Sequence, residues 1–362
     1  MMNKFSPLSI SPDACERIEL RVPAPFSWSE CLAYLGRSDL EIMHRVEEDC
    51  VYKAVELNGY PILLKLDYTQ ENVLRNNAMP ASVLSALRIG FPQEDPGPEL
   101  RNAAEDYVRD WFGLDDDLEA FSVMAQRDPI LGLVVSAHAG LRLIGIPDLF
   151  EALTWAIIGQ QISLPFAYTM KRRLVEAYGE TLSISAAADA VDIVDNTTDI
   201  TVDAADIVGE AAVIAGDDVG IMGAANEPFH LFPRPARIAA LTPDDLRPMQ
   251  FSGRKAEYII GIAQMMEEGR LSKEGLLRMD EEQAREMLLS IRGVGAWTAD
   301  YVGMKCLRRP SAFPIADAGL HQALKRALGL NRKPHPNEIA EVSAGWHGWE
   351  AYATFYLWQS LL

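Results

Sequence analysis

The sequence contains few cysteines, and they are widely spaced. Cys15, Cys31, Cys50 and Cys306 are the four cysteines among 362 residues, and no CxxC pair occurs. A disulfide framework or a zinc site needs thiols at short, regular spacing, and an iron–sulfur cluster needs clustered thiolates. The spacing argues against all three, so we expect reduced, mostly buried thiols.

Long apolar segments are also lacking. The opening stretch MMNKFSPLSISPDACERIEL has no continuous apolar run and no small-residue cleavage site, so it predicts no secretory signal. The run LGLVVSAHAGLRLIGI is interrupted by His138 and Arg142 and is too short to cross a bilayer. We therefore expect no membrane partner and a cytoplasmic location.

Positive charge is scarce. The net charge is −19, from 33 Lys and Arg against 52 Asp and Glu. This balance argues against a nucleic-acid partner, because phosphate neutralisation normally needs a basic face. Residues 184–227 supply ten of the acidic residues and contain no lysine or arginine. The remainder is still acidic, so any contact with nucleic acid must be local, made by a few basic side chains and by backbone amides.

The chain is too long for one compact core, and its pattern predicts two domains. Residues 1–115 contain alternating, strand-like segments, two of which are joined by Asn58-Gly59, a favoured hairpin turn. Residues 116–362 have the spacing of successive amphipathic helices, interrupted by an acidic insertion at residues 184–227, to which we assign no function. The predicted fold class is α+β: an N-terminal antiparallel sheet with helices, followed by a mostly α-helical domain in two lobes.

The most informative segment is LLSIRGVGAWTADYVGMKC. Its pattern predicts a helix that ends near Ile291, a tight turn at Gly293, Val294 and Gly295, and a second helix from about Ala296. Glycine permits positive φ angles and a close backbone approach, and the free amides that begin the second helix form an anion site. On a nucleic acid, that anion would be a phosphate, contacted without sequence preference.

The hairpin segment is similar to a known DNA-binding motif. The residues that resemble the helix–hairpin–helix motif are Leu288, Ile291, Gly293, Val294, Gly295, Thr298 and Ala299. Downstream, FPIADAGLHQAL places Asp317 at a loop-to-helix junction. This pairing resembles the helix–hairpin–helix DNA glycosylase superfamily, in which a Gly/Pro-rich loop ends in an essential aspartate. The segments GQQIS, FHLFP, SGRKAEYI and WHGWEAYATFYLW, together with the N-terminal α+β unit, resemble 3-methyladenine DNA glycosylase II.

The resemblance implies a helix–hairpin–helix glycosylase domain that rotates a damaged base out of duplex DNA. Asp317 would stabilise positive charge at C1′ of the sugar or activate a water molecule. Aspartate also suits a helix N-cap, and the two roles are compatible. Trp297, Tyr301 and Trp349 match aromatic positions that line the base pocket, where they would stack on electron-poor alkylated purines. The alternative for each of these aromatic residues is packing in a core.

The resemblance also implies how the DNA is held. Gln161 and Ile162 occupy the place from which the family inserts a side chain into the gap left by the extruded base, although Ile162 equally suits a helix core. Candidate contacts to the DNA backbone are Arg292, Gly293, Val294, Gly295, Thr298, Arg254 and Lys255. A monovalent cation on the carbonyls of the turn would help bridge to the phosphate. No metal ligand set and no required cofactor are predicted, and the expected partner is double-stranded DNA with damaged bases, bound by a nucleoid-associated monomer.

One position separates branches of the superfamily. Members that also cut the strand carry a lysine immediately before the Thr-Ala of the second hairpin helix, and this sequence has Trp297 there. Without an amine at that position we expect base removal and no Schiff-base chemistry. The implied lesions are N3-methyladenine and N7-methylguanine, with hypoxanthine as a weak substrate. Two alternatives remain open: a non-catalytic helix–hairpin–helix binding module, and a bifunctional oxidised-purine glycosylase and lyase.

Overall fold

The computed structural model describes residues 17–73, 82–93, 95–182 and 227–362. A short 3-10 helix lies at Arg247–Met249. The other elements in these ranges are β1 (Ile18–Arg21), α1 (Trp28–Leu35), β2 (Arg45–Glu47), β3 (Cys50–Leu57), β4 (Tyr60–Val73), β5 (Ser82–Gly90), α2 (Pro98–Phe112), α3 (Leu118–Ala125), α4 (Leu131–Ala137), α5 (Leu149–Gly159), α6 (Leu164–Tyr178), β6 (Thr181–Leu182), β7 (Phe229–His230), α7 (Pro235–Ala239), α8 (Gly253–Glu267), α9 (Lys273–Leu277), α10 (Glu281–Leu289), α11 (Ala296–Lys305), α12 (Ala318–Ala327), α13 (Pro336–Ser343) and α14 (Glu350–Gln359).

The N-terminal sheet is antiparallel, with strand order β1-β5-β4-β3-β2. Its central hairpin joins β3 to β4 through Asn58 and Gly59, both of which have positive φ angles, 53° and 80°. Asparagine followed by glycine is the pair that tolerates this backbone, because a two-residue turn matched to the twist of the strands needs positive φ at both positions. The predicted hairpin and the predicted α+β class are confirmed.

The first hydrophobic core joins this sheet to helices from the two ends of the chain. Leu66 of β4 and Leu87 of β5 belong to the same buried cluster as Phe112 of α2 and Phe355 of α14, and all four are fully buried. Burial of such apolar side chains is the main driving force of folding. The C-terminal helix therefore shares one hydrophobic core with the N-terminal sheet. The division at residues 115 and 116 stays a prediction.

The second hydrophobic core is built from the central helices. Ile157 of α5, Met170 of α6, Ile259 of α8 and Leu288 of α10 are almost completely buried in one cluster. Helix α11 contributes to both cores, since Val302 belongs to the second and Met304 to the first. Helix α11 therefore lies between the two cores, and the hairpin that precedes it packs in the second core through Ile291 and Val294.

The predicted acidic insertion, residues 184–227, lies outside the described residues except for Glu227. The strands that flank it pair with each other, Thr181 with His230 and Leu182 with Phe229. Cys31 and Cys306 are buried and unpaired, Cys50 is half-buried and unpaired, and Cys15 lies outside the described residues. In the described ranges, no helix has both the length and the apolar character that a bilayer crossing requires.

Candidate active site

The glycine hairpin connects α10 to α11. Gly293 has a φ angle of 93°, and a Cβ atom there would lie 2.3 Å from the ring of Tyr258, so the position needs glycine. Gly295 is the N-cap of α11, and no side chain caps this helix. The first amides of a helix have no acceptor within the helix. The hairpin therefore presents backbone donors at a helix N-terminus, an arrangement that attracts phosphate.

Two other hairpin residues are buried. Val294 is 6% exposed and packs in the second core, and Thr298 is 1% exposed. Their side chains maintain the shape of the hairpin, and any ligand contact from these positions must come from the backbone.

Asp317 is half-buried and is the N-cap of α12. Its Oδ1 accepts hydrogen bonds from the amide of Leu320 at 2.7 Å and from Nε1 of Trp358 at 2.8 Å, and its Oδ2 accepts one from Nε1 of Trp297 at 3.0 Å. A carboxylate offers about four lone-pair sites, so Oδ2 keeps capacity for a further partner. The N-cap and catalytic interpretations are therefore geometrically compatible.

Three aromatic rings follow one another in tilted contact, and the first and last of them donate to this carboxylate. The centroids of Trp297 and Tyr301 are 5.3 Å apart at 30°, and those of Tyr301 and Trp358 are 6.3 Å apart at 32°. A Cβ on Gly319 would lie 3.0 Å from both Asp317 Oδ1 and Trp358 Cδ1, so the missing side chain makes room for their contact. We call Trp297, Tyr301, Trp358 and Asp317 the aromatic–carboxylate site.

Trp349 lies nine residues before Trp358, about 13 Å away along the axis of α14. Its ring contacts those of Phe121 and Tyr352, each with a centroid distance of 5.9 Å, at the first core. The structure thus places Trp358, rather than Trp349, beside Asp317, and the environment of Trp349 matches the alternative of core packing.

The loop between α5 and α6 carries the two candidate inserting residues. Gln161 is exposed and has a φ angle of 58°, which is uncommon for a residue with a side chain. Ile162 is half-buried against the second core. The geometry separates the two candidates, because only Gln161 is on the exposed side of the loop.

The same loop is bonded to the hairpin and to α8. Gln160 Nε2 donates to the carbonyl of Gly293 at 3.0 Å and to Oγ1 of Thr298 at 3.1 Å. Lys255 Nζ donates to the carbonyls of Ile158 and Gln160 at 2.7 and 2.8 Å. Burial lowers the pKa of Lys255. The ammonium of Lys255 therefore satisfies carbonyls at the end of α5, an environment that differs from that of a free phosphate-binding lysine.

The two arginine candidates are accessible. Arg254 is exposed in the first turn of α8. The Arg292 side chain is 77% exposed, pairs with Glu257 at 2.8 Å and lies over the Tyr258 ring at 5.7 Å. An exposed ion pair of this kind contributes little stability and exchanges readily for another anion.

A polar cavity of about 50 Å³ lies against Tyr301, with room for water rather than a base. Lys171 Nζ bridges Glu151 at 2.9 Å and Glu41 at 3.3 Å. Burial alone would raise the pKa of the Glu41 carboxyl, but Lys171, His44, the Met43 amide and Lys53 together outweigh burial and lower this pKa to about 2. The polar and aromatic residues of the lining include Tyr34, Arg37, Glu41, His44, Lys53, Glu151, Trp155, Tyr168, Lys171, Tyr301 and Lys305.

Comparison with protein families matches residues 154–347, more than half of the chain, to the model described as "HhH-GPD superfamily base excision DNA repair protein". The chain belongs to this superfamily. A curated relative, the DNA-3-methyladenine glycosylase of Bacillus subtilis (strain 168), is 37% identical over 344 residues, which are 95% of this chain and 97% of the relative. DNA-3-methyladenine glycosylase 2 of Escherichia coli (strain K12) is 27% identical over 228 residues, 63% of each chain.

The HhH-GPD assignment extends to the three-dimensional fold. A solved structure described as 3-methyladenine DNA-glycosylase from Archaeoglobus fulgidus superposes with a TM-score of 0.68 and 21% identity, covering 95% of this chain and 97% of that one. At this identity the match establishes the fold, and the family predicted from the sequence is confirmed. Among the residues described, no three His, Cys, Asp or Glu side chains are placed to bind a metal ion together.

Two residues of this HhH-GPD protein that sequence reasoning missed are Trp358 and Gln160. Nine residues of α-helix make two and a half turns, so a helix running through this segment would direct Trp349 and Trp358 to opposite faces. That periodicity indicates that only one of them can face Asp317, but not which one. Gln160 adjoins the predicted inserting residue, and no local pattern distinguishes its inward side chain from the outward one of Gln161.

Proposed function

We propose that this chain is a monofunctional DNA glycosylase that removes alkylated bases from duplex DNA by base extrusion and hydrolysis of the N-glycosidic bond. The observation that carries the proposal is Asp317, fixed by three hydrogen-bond donors at the edge of an aromatic stack and following the glycine hairpin in the chain. The relatives named as DNA-3-methyladenine glycosylases support the same reaction and substrate class.

Binding begins at the DNA backbone. The free amides that start α11, at Gly295 and the following residues, would bind one phosphate, and the exposed guanidinium groups of Arg254 and Arg292 would contact others. A monovalent cation on hairpin carbonyls is part of this proposal. Since the net charge is −19, such contacts have to be local. We assign Lys255 to holding the loop rather than to a phosphate.

Extrusion of the base leaves a gap in the duplex. We propose that Gln161 fills this gap, because it is exposed on a loop joined to the hairpin while Ile162 packs against the second core. The extruded base would stack in the aromatic–carboxylate site. Alkylated purines carry positive charge, which the faces of tryptophan and tyrosine attract. The implied lesions are N3-methyladenine and N7-methylguanine, with hypoxanthine weaker.

The chemical step breaks the bond between C1′ and the base nitrogen. The bonding pair leaves with the base, and C1′ acquires oxocarbenium character, which the Asp317 carboxylate stabilises. A water molecule then forms the new C1′–O bond and passes its proton to the Asp317 carboxylate and from there to bulk water, so the products are the free base and an abasic site. Trp297 and Trp358 keep the carboxylate oriented through their indole N–H groups.

Strand cleavage through a Schiff base is not part of the proposal. Trp297 occupies the position at which lyase members carry lysine, and the next lysine of α11, Lys305, is buried with its ammonium on the Tyr34 hydroxyl and the Ile144 carbonyl. Because these two hydrogen bonds hold the Lys305 ammonium in the protein interior, it does not reach a sugar. We further propose that the enzyme needs no cofactor and acts as a nucleoid-associated monomer in the cytoplasm.

The test is replacement of Asp317 by asparagine, which preserves an N-cap but removes the charge. We expect release of bases from methylated genomic DNA, identified by mass spectrometry, to fall by about a hundredfold to ten-thousandfold, with affinity for abasic DNA retained. The matched control is Asp128→Asn, since Asp128 likewise accepts three N–H donors, in its case two backbone amides and one indole. Equal turnover by Asp317→Asn and the parent would refute the catalytic assignment, and a borohydride-trapped adduct would favour the lyase alternative.

A further inference from the structure

Two side chains clamp the α5–α6 loop from opposite sides. Gln160 bonds it to the hairpin through Gly293 and Thr298, and Lys255 bonds it to the start of α8. Gln161 follows immediately, exposed and in the left-handed backbone region. Such a conformation is unfavourable for a residue with a Cβ, and it persists where the surroundings over-determine it.

We propose that Gln160 is a positioning residue: it fixes Gln161 relative to the glycine hairpin, so that phosphate binding and base extrusion engage DNA as one rigid unit. This inference rests on the proposed role of Gln161 in filling the gap.

The hairpin end of this clamp is rigid. Gly293 cannot shift towards α8, because its α-carbon already lies against the ring of Tyr258. Thr298 is 1% exposed and belongs to the first turn of α11, next to the amides proposed to bind phosphate. The two N–H groups of the Gln160 amide thus join the loop to both sides of the turn that would hold the DNA backbone.

The loop end is rigid for a different reason. The last carbonyls of a helix receive no hydrogen bond from an N–H group within the helix. A cation placed beside them is favourable. Lys255 Nζ satisfies the carbonyls of Ile158 and Gln160 at the end of α5, so the backbone that enters Gln161 is fixed on both sides. Because Gln161 is the next residue, small rotations at Gln160 would move its side chain by ångströms, and a misplacement of about 1 Å can reduce a rate about a hundredfold.

The experiment compares Gln160→Met with a matched control, Gln264→Met. Methionine keeps the length of glutamine and removes both N–H donors, and Gln264 also donates its amide to a backbone carbonyl, that of Ala239, at an exposed position away from the loop. We expect Gln160→Met to bind undamaged duplex within about twofold of the parent. Extrusion, followed by the fluorescence of 2-aminopurine beside the lesion, and single-turnover base release should both fall by about tenfold to a hundredfold. Gln264→Met should match the parent in all three measurements.

A double-mutant cycle separates positioning from general structural damage. If Gln160 acts through Gln161, then Gln160→Met in a Gln161→Gly background should lower extrusion by less than about twofold, because the side chain being positioned is already gone. Effects that multiply instead, or a Gln160→Met variant indistinguishable from Gln264→Met, would overturn the inference. Should Gln160→Met fail to fold, Lys255→Met loosens the loop from its other side, and the same pattern is expected.

Measurements on the parent protein distinguish a failure of the proposed function from a failure of the positioning role of Gln160. A parent that neither extrudes nor releases alkylated bases contradicts the proposed function and this inference together. A parent that does both, while Gln160→Met remains at parental rates, contradicts the inference alone.

Discussion

The indole of Trp358 offers a way to disturb Asp317 without touching its charge. Replacement by phenylalanine removes the Nε1–H that donates to Oδ1 at 2.8 Å but keeps an aromatic ring next to Tyr301. The carboxylate would then be held by the amide of Leu320 and by Trp297 alone. A carboxylate with one fewer anchor samples more orientations, so fewer bound complexes have Oδ2 aligned with the sugar.

The magnitudes follow from the bond that is lost. A hydrogen bond to a charged group contributes about 1.5–3 kcal/mol, so we expect Trp358→Phe to lower the free energy of unfolding by about 2 kcal/mol. The same misalignment should raise the barrier to base release by about 1.4 kcal/mol, which is a tenfold lower single-turnover rate. Gly319 has no side chain that would replace the missing donor, and a Cβ added there would crowd this contact.

The assay pairs two measurements on two variants. Trp346→Phe is the matched control, because Trp346 donates its Nε1–H to the Asp128 carboxylate, also at 2.8 Å, elsewhere in the first core. Denaturant unfolding should show a similar loss for both variants, whereas single-turnover release from methylated DNA should fall only in Trp358→Phe. If the two variants release bases at the same rate, Trp358 does not orient the catalytic carboxylate and the reasoning fails.

Two further predictions concern stability. Gly293→Ala should lower the melting temperature by several degrees, because it forces a side chain to a φ angle of 93° and against the Tyr258 ring. Gly295→Ala should lower it much less, because a Cβ there meets nothing within 4 Å and only the N-cap preference for glycine is lost. Thermal unfolding compares the two variants, and equal losses would contradict this prediction. Burial lowers the pKa of His44 from 6.5 to about 4. Between these two pH values the unfolded chain binds more protons than the folded one, so the folded protein loses stability as the pH falls from 6.5 to about 4. His44→Gln should reduce this acid-induced loss of unfolding free energy by at most about 3 kcal/mol. Denaturant unfolding at pH 7 and pH 4.5 measures the loss, and an identical pH dependence in parent and variant would refute the role of His44.

The sequence was informative where the chemistry is local. A glycine turn, the start of α11 and an aspartate at the start of α12 depend on neighbours within a few residues, so the hairpin and the N-cap position of Asp317 could be predicted. Asn58-Gly59 predicted its hairpin for the same reason.

Contacts between distant parts of the chain could not be predicted in this way. The cavity beside Tyr301 combines side chains from Tyr34 to Lys305, and the Lys171 bridge depends on Glu41 and Glu151 from separate elements. When oppositely charged residues are far apart in a sequence, the sequence does not indicate which of them will form ion pairs. The choice between the two tryptophans of the last helix was set in the same manner, by packing of α14 on α12 rather than by its own periodicity.

The pairing of β6 with β7 has a consequence for how this protein tolerates change in length. Leu182 and Phe229 are buried together against Ala54 and Leu63 of the sheet, so the chain departs and returns at adjacent, anchored points. Closing a loop between fixed ends becomes only about 0.6 kcal/mol less favourable each time the length of the loop doubles. We therefore expect a change of chain length between these two strands to alter the free energy of unfolding little, while the hairpin and the helices around Asp317 keep their positions.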